Sequence, residues 1–553
     1  MSPRIITLFC LLVAISPWQE AFAQKKADRK VAKQLQTDIS YLASEELEGR
    51  RTSSEGERKA ADYIERRYQQ EEIPPYKGVY RYPFHFTYGK EIAAATLIKV
   101  NNVEMRLNKE AFPMPFSASK HVYSEIFPDV MEQGSIWMLP LYKDSDQAND
   151  PHFDYEKYMY EHAKEAEKQG ATGVVFYDGY NGKWTPTFNR HSEYDTLGIP
   201  VAFVTTVVFK KFTAVAGYEK AGVPINLDID LKKAERTGNN IAAYIDNKAP
   251  YTVVIGAHYD HLGYGEDGNS LFANAVKEHR VHHGADDNAS GTAALLEVAK
   301  WIKHQKLTHF NYLFINFSGE ELGLYGSKAF IKDQHIDSSH IAYMINMDMV
   351  GRLNDSTHLL ELGGVGTSPA WVNVQALAGT DFKLSIDSSG VGPSDHTSFY
   401  NAGIPVLFFF TGSHKDYHKP SDMPNLINYT GETMVINYVD KIVASMDEAN
   451  MKPMFTATKQ KSMGRTAFKV TLGIMPDYTY ETGGVRVDGV SDDRPAMKAG
   501  IKQGDVIIQL GDIKINGMQT YMEALSKFTP GDKTKVKVTR DGKEITMPIE
   551  LSK

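Results

Sequence analysis

The feature that most limits the fold of this chain is a series of short, mostly apolar segments, spaced by helical patterns, between residues 239 and about 450. Residues 252–256, 312–317, 341–347, 358–362 and 405–410 are dominated by Val, Ile, Leu, Phe, Tyr and Met and lack the polar alternation of a half-solvated strand. Such segments are buried on both sides, as happens when a parallel sheet carries helices above and below it. An α/β domain with an open, mostly parallel sheet and helices on both faces is therefore expected here.

A chain of 553 residues is too long for one core, so several units are expected. Helical periodicity at residues 31–43 and 54–68 is followed by an alternating, strand-like stretch at 79–88. From 95 to 233 the pattern changes to short strands and polar loops. There residues 163–169 read as helix before Gly170-Ala-Thr-Gly-Val-Val-Phe-Tyr, and Gly198-Ile-Pro-Val-Ala-Phe-Val comes later. Those two segments resemble a β-rich protease-associated domain, inserted so that 24–94 and 234–450 are two parts of one catalytic domain. Residues 451–464, rich in Lys, Thr and Ser, read as a linker. Residues 465–553 carry Leu472-Gly473-Ile474, Gly483-Gly-Val-Arg-Val-Asp-Gly-Val and Ala499-Gly-Ile-Lys-Gln-Gly-Asp-Val-Ile-Ile, and resemble a bacterial PDZ domain. The resemblance implies that Leu472, Gly473 and Ile474 offer backbone N–H groups to the terminal carboxylate of a C-terminal peptide ligand, which pairs with the adjacent strand edge. A unit that only packs for stability is the other reading.

The first 23 residues hold one basic residue, Arg4, an apolar run at 5–15, and Ala21-Phe22-Ala23, the small-x-small form of a signal-peptidase site. The run is too short to cross ~30 Å of hydrocarbon. A cleaved leader and export to a bacterial periplasm or exterior are expected, and no later segment is apolar for long enough to span a bilayer. The single cysteine, Cys10, would leave with the leader, so the mature chain has no disulfide and no thiol nucleophile. A net charge of -8 argues against nucleic acid as a partner.

The chemistry gathers at the ends of the apolar segments. Strand 252–256 leads into His258-Tyr-Asp260-His-Leu-Gly, and 312–317 leads into Ser318-Gly-Glu320-Glu321-Leu-Gly. Asp348 follows 341–347, and 405–410 leads through Thr411-Gly-Ser to Tyr417-His418-Lys-Pro-Ser-Asp. Gly284-Ala-Asp286-Asp287-Asn288 stands at a helix entrance, where a carboxylate alone would pass as an N-cap. Ligands of open α/β sheets bind at the carboxyl ends of the strands. A set of imidazoles and carboxylates there suits zinc.

The order His-x-Asp, Asp-Asn, Glu-Glu, Asp, Tyr-His resembles the co-catalytic zinc aminopeptidases related to glutamate carboxypeptidase and the transferrin receptor, metallopeptidase family twenty-eight. The helix-rich start, with Leu42-Ala-Ser-Glu-Glu-Leu-Glu-Gly-Arg, and the inserted domain extend the likeness. It implies a zinc exopeptidase fold and two zinc ions per chain bridged by Asp287, with His258 and Asp348 completing one site and Glu321 and His418 the other. Each site then keeps an open position for a shared water or hydroxide. By the same likeness Glu320 is the general base, and Asp260 accepts a hydrogen bond from His258 to fix its tautomer. Tyr417 is either a donor to the developing oxyanion or a packing residue.

The implied activity is removal of N-terminal residues from peptide substrates, with Glu320 or Asp348 also helping to hold the free ammonium group. A carboxypeptidase or dipeptidase of the same superfamily would want an Arg cluster, and none stands near the motifs. A non-enzymatic, receptor-like relative would have lost ligands, and all five are present. Glutaminyl-cyclase-like acyl transfer fits the bridging turn and the insertion less well. His279, His282 and His283 read as a solvated loop, Asp286 as an exposed neighbour of the bridging residue, and Asp395-His396 as a helix N-cap or a rim of the substrate site. The preferred side chain has no motif.

Overall fold

In a computed structural model of the chain the described residues are 17–126, 130–149, 153–180, 186–190, 192, 194–213, 222–272, 275–333, 336–458, 470–476, 483–490, 494–517, 520–521, 524–525 and 527–552. The leader expected at 1–23 lies outside the residues whose side chains are described, which begin at Lys25. Among the described residues, no helix is long and apolar enough to cross a membrane.

The chain divides into two compact units, Met1–Phe84 with Thr237–Lys553, and His85–Arg236. An eight-stranded sheet, six of whose strands lie wholly in the first unit, comprises β1 (Arg81–Ile92), β2 (Leu231–Ile245), β3 (Thr252–His258), β4 (Asn311–Phe317), β5 (Ile341–Met347), β6 (Leu359–Gly363), β7 (Lys383–Ile386) and β8 (Val406–Phe410). Their order is β1-β2-β4-β3-β5-β8-β6-β7. The four middle strands β4, β3, β5 and β8 are mutually parallel, while β2 and β6 pair antiparallel with β4 and β8. The apolar segments thus form a mostly parallel α/β sheet.

Alternate residues of each middle strand enter different cores. Val253, Ile255 and Ala257 of β3 join Tyr312 and Phe314 of β4 under one layer of helices: α1 (Pro17–Leu42), α2 (Glu55–Gln70), α3 (Gly291–His304) and, later in the chain, Tyr429–Ala449. Val254, Leu313, Ile315 and Phe317 pack with Phe330, Phe399 and Tyr400 of the two short helices, Tyr325–Lys332 and His396–Asn401. Helices cover both faces, so both side-chain sets must be apolar, and the strands lose their alternation. Gly256 lets this second layer approach, because a Cβ there would meet the Phe317 ring at 2.6 Å.

The α1 helix begins well before the amphipathic pattern at 31–43. Leu35, Ile39 and Leu42 bury one stripe, whereas the preceding turns, Lys25 to Lys30, are polar and leave no apolar period to read. Ser54 caps α2 by accepting from the Glu57 N–H. The stretch expected to be a linker starts pinned to the sheet domain. Pro453 is buried, Phe455 packs on Tyr400, and the N–H groups of Thr456 and Thr458 donate to Thr367 O and Tyr400 Oη at 2.8 Å.

Toward the C-terminus a six-stranded sheet carries its own core, including Leu472, Val485, Ile507, Val536 and Val538. Its last hairpin, Lys533–Arg540 with Lys543–Glu550, turns at Asp541-Gly542. Both turn residues have positive φ, which is why Asp-Gly suits that position. The other unit, His85–Arg236, holds two four-stranded sheets with separate cores.

Candidate metal centre

Because the middle strands are parallel, their carboxyl ends share one edge, and the chain leaves each with a polar residue. His258 closes β3 opposite Phe317 of β4, and Glu320 and Glu321 follow that phenylalanine by three and four residues. Asp348 follows β5, its N–H bonded to Phe409 O of β8 at 3.1 Å. Asp287 lies in the irregular turn Ala285–Ser290, which opens α3. His418 stands in the loop after β8 with φ +52°.

These elements bring all five expected ligands together around Asp287. Its Oδ1 is 3.5 Å from His258 Nε2, which is also 3.4 Å from Asp348 Oδ1. Its Oδ2 is 3.3 Å from His418 Nε2, which is 3.0 Å from Glu321 Oε2. The carboxylate therefore turns one oxygen to each of two imidazole and carboxylate sets. Candidate metal-holding groups are His258 with Asp287 and Asp348, and Asp287 with Glu321 and a further histidine, His261.

The donors are poised for cations. His258 Nε2 and His418 Nε2 are buried and make no hydrogen bond of normal geometry, and native proteins seldom leave such atoms without a partner. His418 Nδ1 donates to Asn269 O at 2.9 Å, and His258 Nδ1 lies 3.2 Å from Asp260 O, so in each ring the free Nε2 faces the cluster. Burial opposes an imidazolium at both positions, yet Asp348 and Glu320 around His258, and Glu321 and Asp287 around His418, raise both rings well above the ordinary histidine range. Burial drives Asp287 up, with Glu321 adding to it. Concentrated negative charge of this kind calls for a compensating cation.

The expected catalytic residues surround the same point. Glu320 Oε2 is 3.9 Å from His258 Nε2. Burial raises its carboxyl well above the ordinary range, Asp348, Glu321 and Asp395 adding to the effect and His258 opposing it. The Asp260 carboxylate is 3.7 Å from His258 Nδ1, beyond hydrogen-bond length, because it accepts from Thr52 Oγ1 at 2.9 Å and from Glu320 N–H at 3.2 Å. Tyr417 stacks on His418, ring centres 3.9 Å apart, and burial together with Asp287 and Glu321 holds its phenol well above its usual value. In the C-terminal unit Leu472 is buried, the Gly473 N–H donates to Thr471 Oγ1 at 2.9 Å, and Ile474 pairs with Val490 on an edge strand.

Comparison with known sequences decides the family. Residues 240–443 match the profile described as Peptidase family M28, and residues 470–551 match that of the PDZ domain. Residues 240–443 belong to peptidase family M28. Aminopeptidase YwaD of Bacillus subtilis (strain 168) is 27% identical over 316 residues, 55% of this chain and 63% of that protein. Leupeptin-inactivating enzyme 1 of Streptomyces exfoliatus is 31% identical over 186 residues, 33% of this chain and 37% of that protein. The chain thus spans less than two thirds of these curated relatives. The solved structure of BSAP, a zinc aminopeptidase from Bacillus subtilis, is 22% identical and covers 78% of this chain and 96% of its own, with a TM-score of 0.42.

Around this centre stand supporting residues that the sequence reading did not single out. Asp422, fully buried, accepts from the N–H groups of Asp286 and Asp287 at 2.8 and 3.1 Å and from Arg352 at 3.0 Å. Arg50, also fully buried, donates to Tyr259 O, Leu42 O, His283 O and Gly284 O, tying the His258 loop to the Asp287 turn. Both lie in quoted motifs, Lys-Pro-Ser-Asp and Leu-Glu-Gly-Arg. Only the folded chain gives them partners, 135 residues away for Asp422 and Asp287.

Two expectations are corrected and a third is refined. Asp286 is not exposed but fully buried, bonded to His414 Nε2 at 3.1 Å and to the Gly351 N–H at 2.8 Å. His282 and His283 are buried structural residues, bonded to Ser270 Oγ at 2.7 Å and Ala43 O at 2.8 Å, while His279 stacks on Tyr264. His279 is exposed, as a solvated loop requires, whereas the helix-rich start of the chain covers His283. Asp395 stands at the N-cap position of its helix but makes no side-chain capping bond, and it is fully buried. It faces inward among the charges of His258, Asp260 and Asp348.

Proposed function

We propose that the chain is an exported, zinc-dependent aminopeptidase that removes residues from the N-terminus of peptides. The observation that carries this reading is Asp287, whose two carboxylate oxygens face separate sets, His258 with Asp348 and His418 with Glu321. YwaD is named an aminopeptidase, and that activity comes to this chain as part of the proposal. Buried imidazole nitrogens with no other partner, and an all N/O donor set, fit zinc.

Two zinc ions held by these five residues would supply Lewis-acid polarisation of the scissile carbonyl and acidify a water. Glu320 takes the proton of the attacking water and returns it to the leaving amine. Burial raises the proton affinity of its carboxylate, which favours taking up that proton. Asp260 steadies the loop carrying Glu320 through the Glu320 N–H and lies along His258. Tyr417 donates a hydrogen bond toward the developing oxyanion. Glu320 or Asp348 also helps to hold the ammonium group of the substrate's first residue.

Two arginines near the centre, Arg50 and Arg352, favour amino- over carboxypeptidase chemistry by being engaged elsewhere. Arg50 is bound to four carbonyls, and Arg352 lies between Asp416 and Asp422. Both are committed within the fold rather than offered to a substrate carboxylate. The resemblance of part of the His85–Arg236 unit to a protease-associated domain, C-terminal peptide binding by the PDZ domain, and export by the leader belong to the same proposal.

The test combines metal analysis with a peptide panel. Wild-type protein should hold two zinc ions, Asp287→Ala should lose both, and peptides with a free N-terminus should be cut while N-acetylated ones are not. Retention of both ions by Asp287→Ala, or equal cleavage of acetylated peptides, overturns the reading.

A further inference from the structure

Glu321 has two oxygens and one proposed metal-facing neighbour. Oε2 lies 3.0 Å from His418 Nε2, on the side shared with Asp287. Oε1 lies 2.7 Å from Nδ1 of His261, a residue with no part in the five-ligand set. We propose that His261 is a positioning residue, whose Nδ1–H holds Oε1 of Glu321 so that Oε2 alone is presented to the metal shared with His418 and Asp287. This inference rests on the di-zinc reading above.

The short contact favours a hydrogen bond over direct ligation. Two donor atoms on one tetrahedral zinc, each at about 2.0–2.1 Å, stand roughly 3.3 Å apart, and His418 Nε2 meets that spacing with Asp287 Oδ2 at 3.3 Å. At 2.7 Å from an ionised carboxylate, an imidazole nitrogen is a donor. Its distance of 3.8 Å from Asp287 Oδ2 leaves Glu321 as its partner.

The ring is fixed by the fold. The His261 N–H donates to Arg50 O at 3.2 Å, and its side chain is wholly buried. The ring lies against Gly284, where a Cβ would meet His261 Cδ2 at 2.5 Å, so the glycine before the Asp287 turn makes its room. Asn269 braces the opposite side: its Nδ2 donates to Glu321 O at 3.2 Å and its carbonyl accepts from His418 Nδ1 at 2.9 Å. Glu321 is thus braced at its carboxylate by His261 and at its backbone by Asn269. Outer partners of this kind typically contribute 10- to 100-fold in metal affinity.

Asparagine separates the possible roles, since its amide nitrogen can occupy the place of Nδ1–H. In zinc competition against a chelator, His261→Leu should release one of the two ions about 10- to 100-fold more readily, while His261→Asn should stay within a few-fold of wild type. In zinc-loaded wild-type protein with ¹⁵N-labelled histidine, the His261 signal, assigned by its loss in His261→Asn, should show a protonated, hydrogen-bonded Nδ1. Equal loss of affinity in both variants, or an Nδ1 without a proton, would make His261 a ligand and overturn the proposal. Unchanged affinity in His261→Leu would remove its role altogether. If His261→Leu does not fold, the Nδ1 signal decides alone. Wild-type protein without two zincs refutes the di-zinc reading instead, so the two failures are distinct.

Discussion

Replacing Asp422 by Asn tests how the bridging turn is held. Asp422 Oδ2 accepts the N–H groups of Asp286 and Asp287, and Oδ1 pairs with Arg352. An amide can satisfy only one side. Keeping its oxygen on the two N–H groups turns its NH₂ toward the guanidinium, which then retains only Asp416 at 3.4 Å. Loss of one charge-assisted bond at a mostly buried arginine costs about 2 kcal/mol. Asp422→Ala goes further, leaving two buried N–H groups and the arginine without their acceptor, for about 3–5 kcal/mol. With Tm shifts of about 2–4 °C per kcal/mol in large domains, the Asn variant should melt about 4–8 °C lower in chelator. Zinc affinity should fall about 10- to 100-fold, since the Asp287 backbone is held less firmly. Chelator competition and thermal unfolding of the metal-free protein measure the two effects separately. A melting point within about 1 °C of wild type with unchanged zinc affinity would refute the reasoning. So would an Ala variant no worse than Asn, because the N–H bonds would then contribute nothing.

Glu320→Gln should keep both zinc ions and its fold but lose ~10²-fold or more in kcat, because an amide cannot carry a proton; near-normal turnover of the metallated variant would assign the base elsewhere. His282 is lowered to about 4, chiefly by burial, with His261 adding to it. The unfolded chain takes up that proton near 6.5 and the folded chain near 4, so this stability is present above pH 6.5 and lost as pH falls toward 4, up to about 3 kcal/mol. In urea melts of metal-free protein, His282→Asn should lose less stability than wild type over that range, and parallel losses would contradict the assignment. Truncation after Thr458, which keeps the segment pinned to Tyr400, should leave hydrolysis of short chromogenic substrates nearly unchanged. Long peptides with free C-termini should lose more efficiency than their amides, and a folded, zinc-loaded truncate inactive on the shortest substrate would mean that the PDZ unit serves the chemistry.

The parallel middle of the sheet was legible because burial on both faces makes 341–347 and 312–317 apolar apart from Asn346 and Asn316, a local signal that needs no partner. The positions of the expected ligands stood out for a related reason. A polar residue directly after a buried strand, as at His258 and Asp348, falls at the one edge where a parallel sheet leaves room for chemistry. The short helix containing Phe399 and Tyr400, the full length of α1 and the pinned start of the expected linker were less so, because polar or brief segments carry little period.

What only the tertiary structure decided is which polar residues are buried and which way they face. Asp286 and Asp287 are neighbours in an identical local setting. Yet one turns to His414 and Gly351 and the other to the imidazoles, while Asp422, 135 residues beyond Asp287, holds the backbone N–H groups of both. His261, two residues before a glycine and one after an aspartate, carries no local mark of its contact with Glu321. That contact exists because parallel pairing sets the ends of β3 and β4 side by side. Residue type and spacing specify the inventory of donors; the long-range register of the sheet specifies their partners, because hydrogen bonds of fixed length form only where the backbone has already brought two atoms within 3 Å.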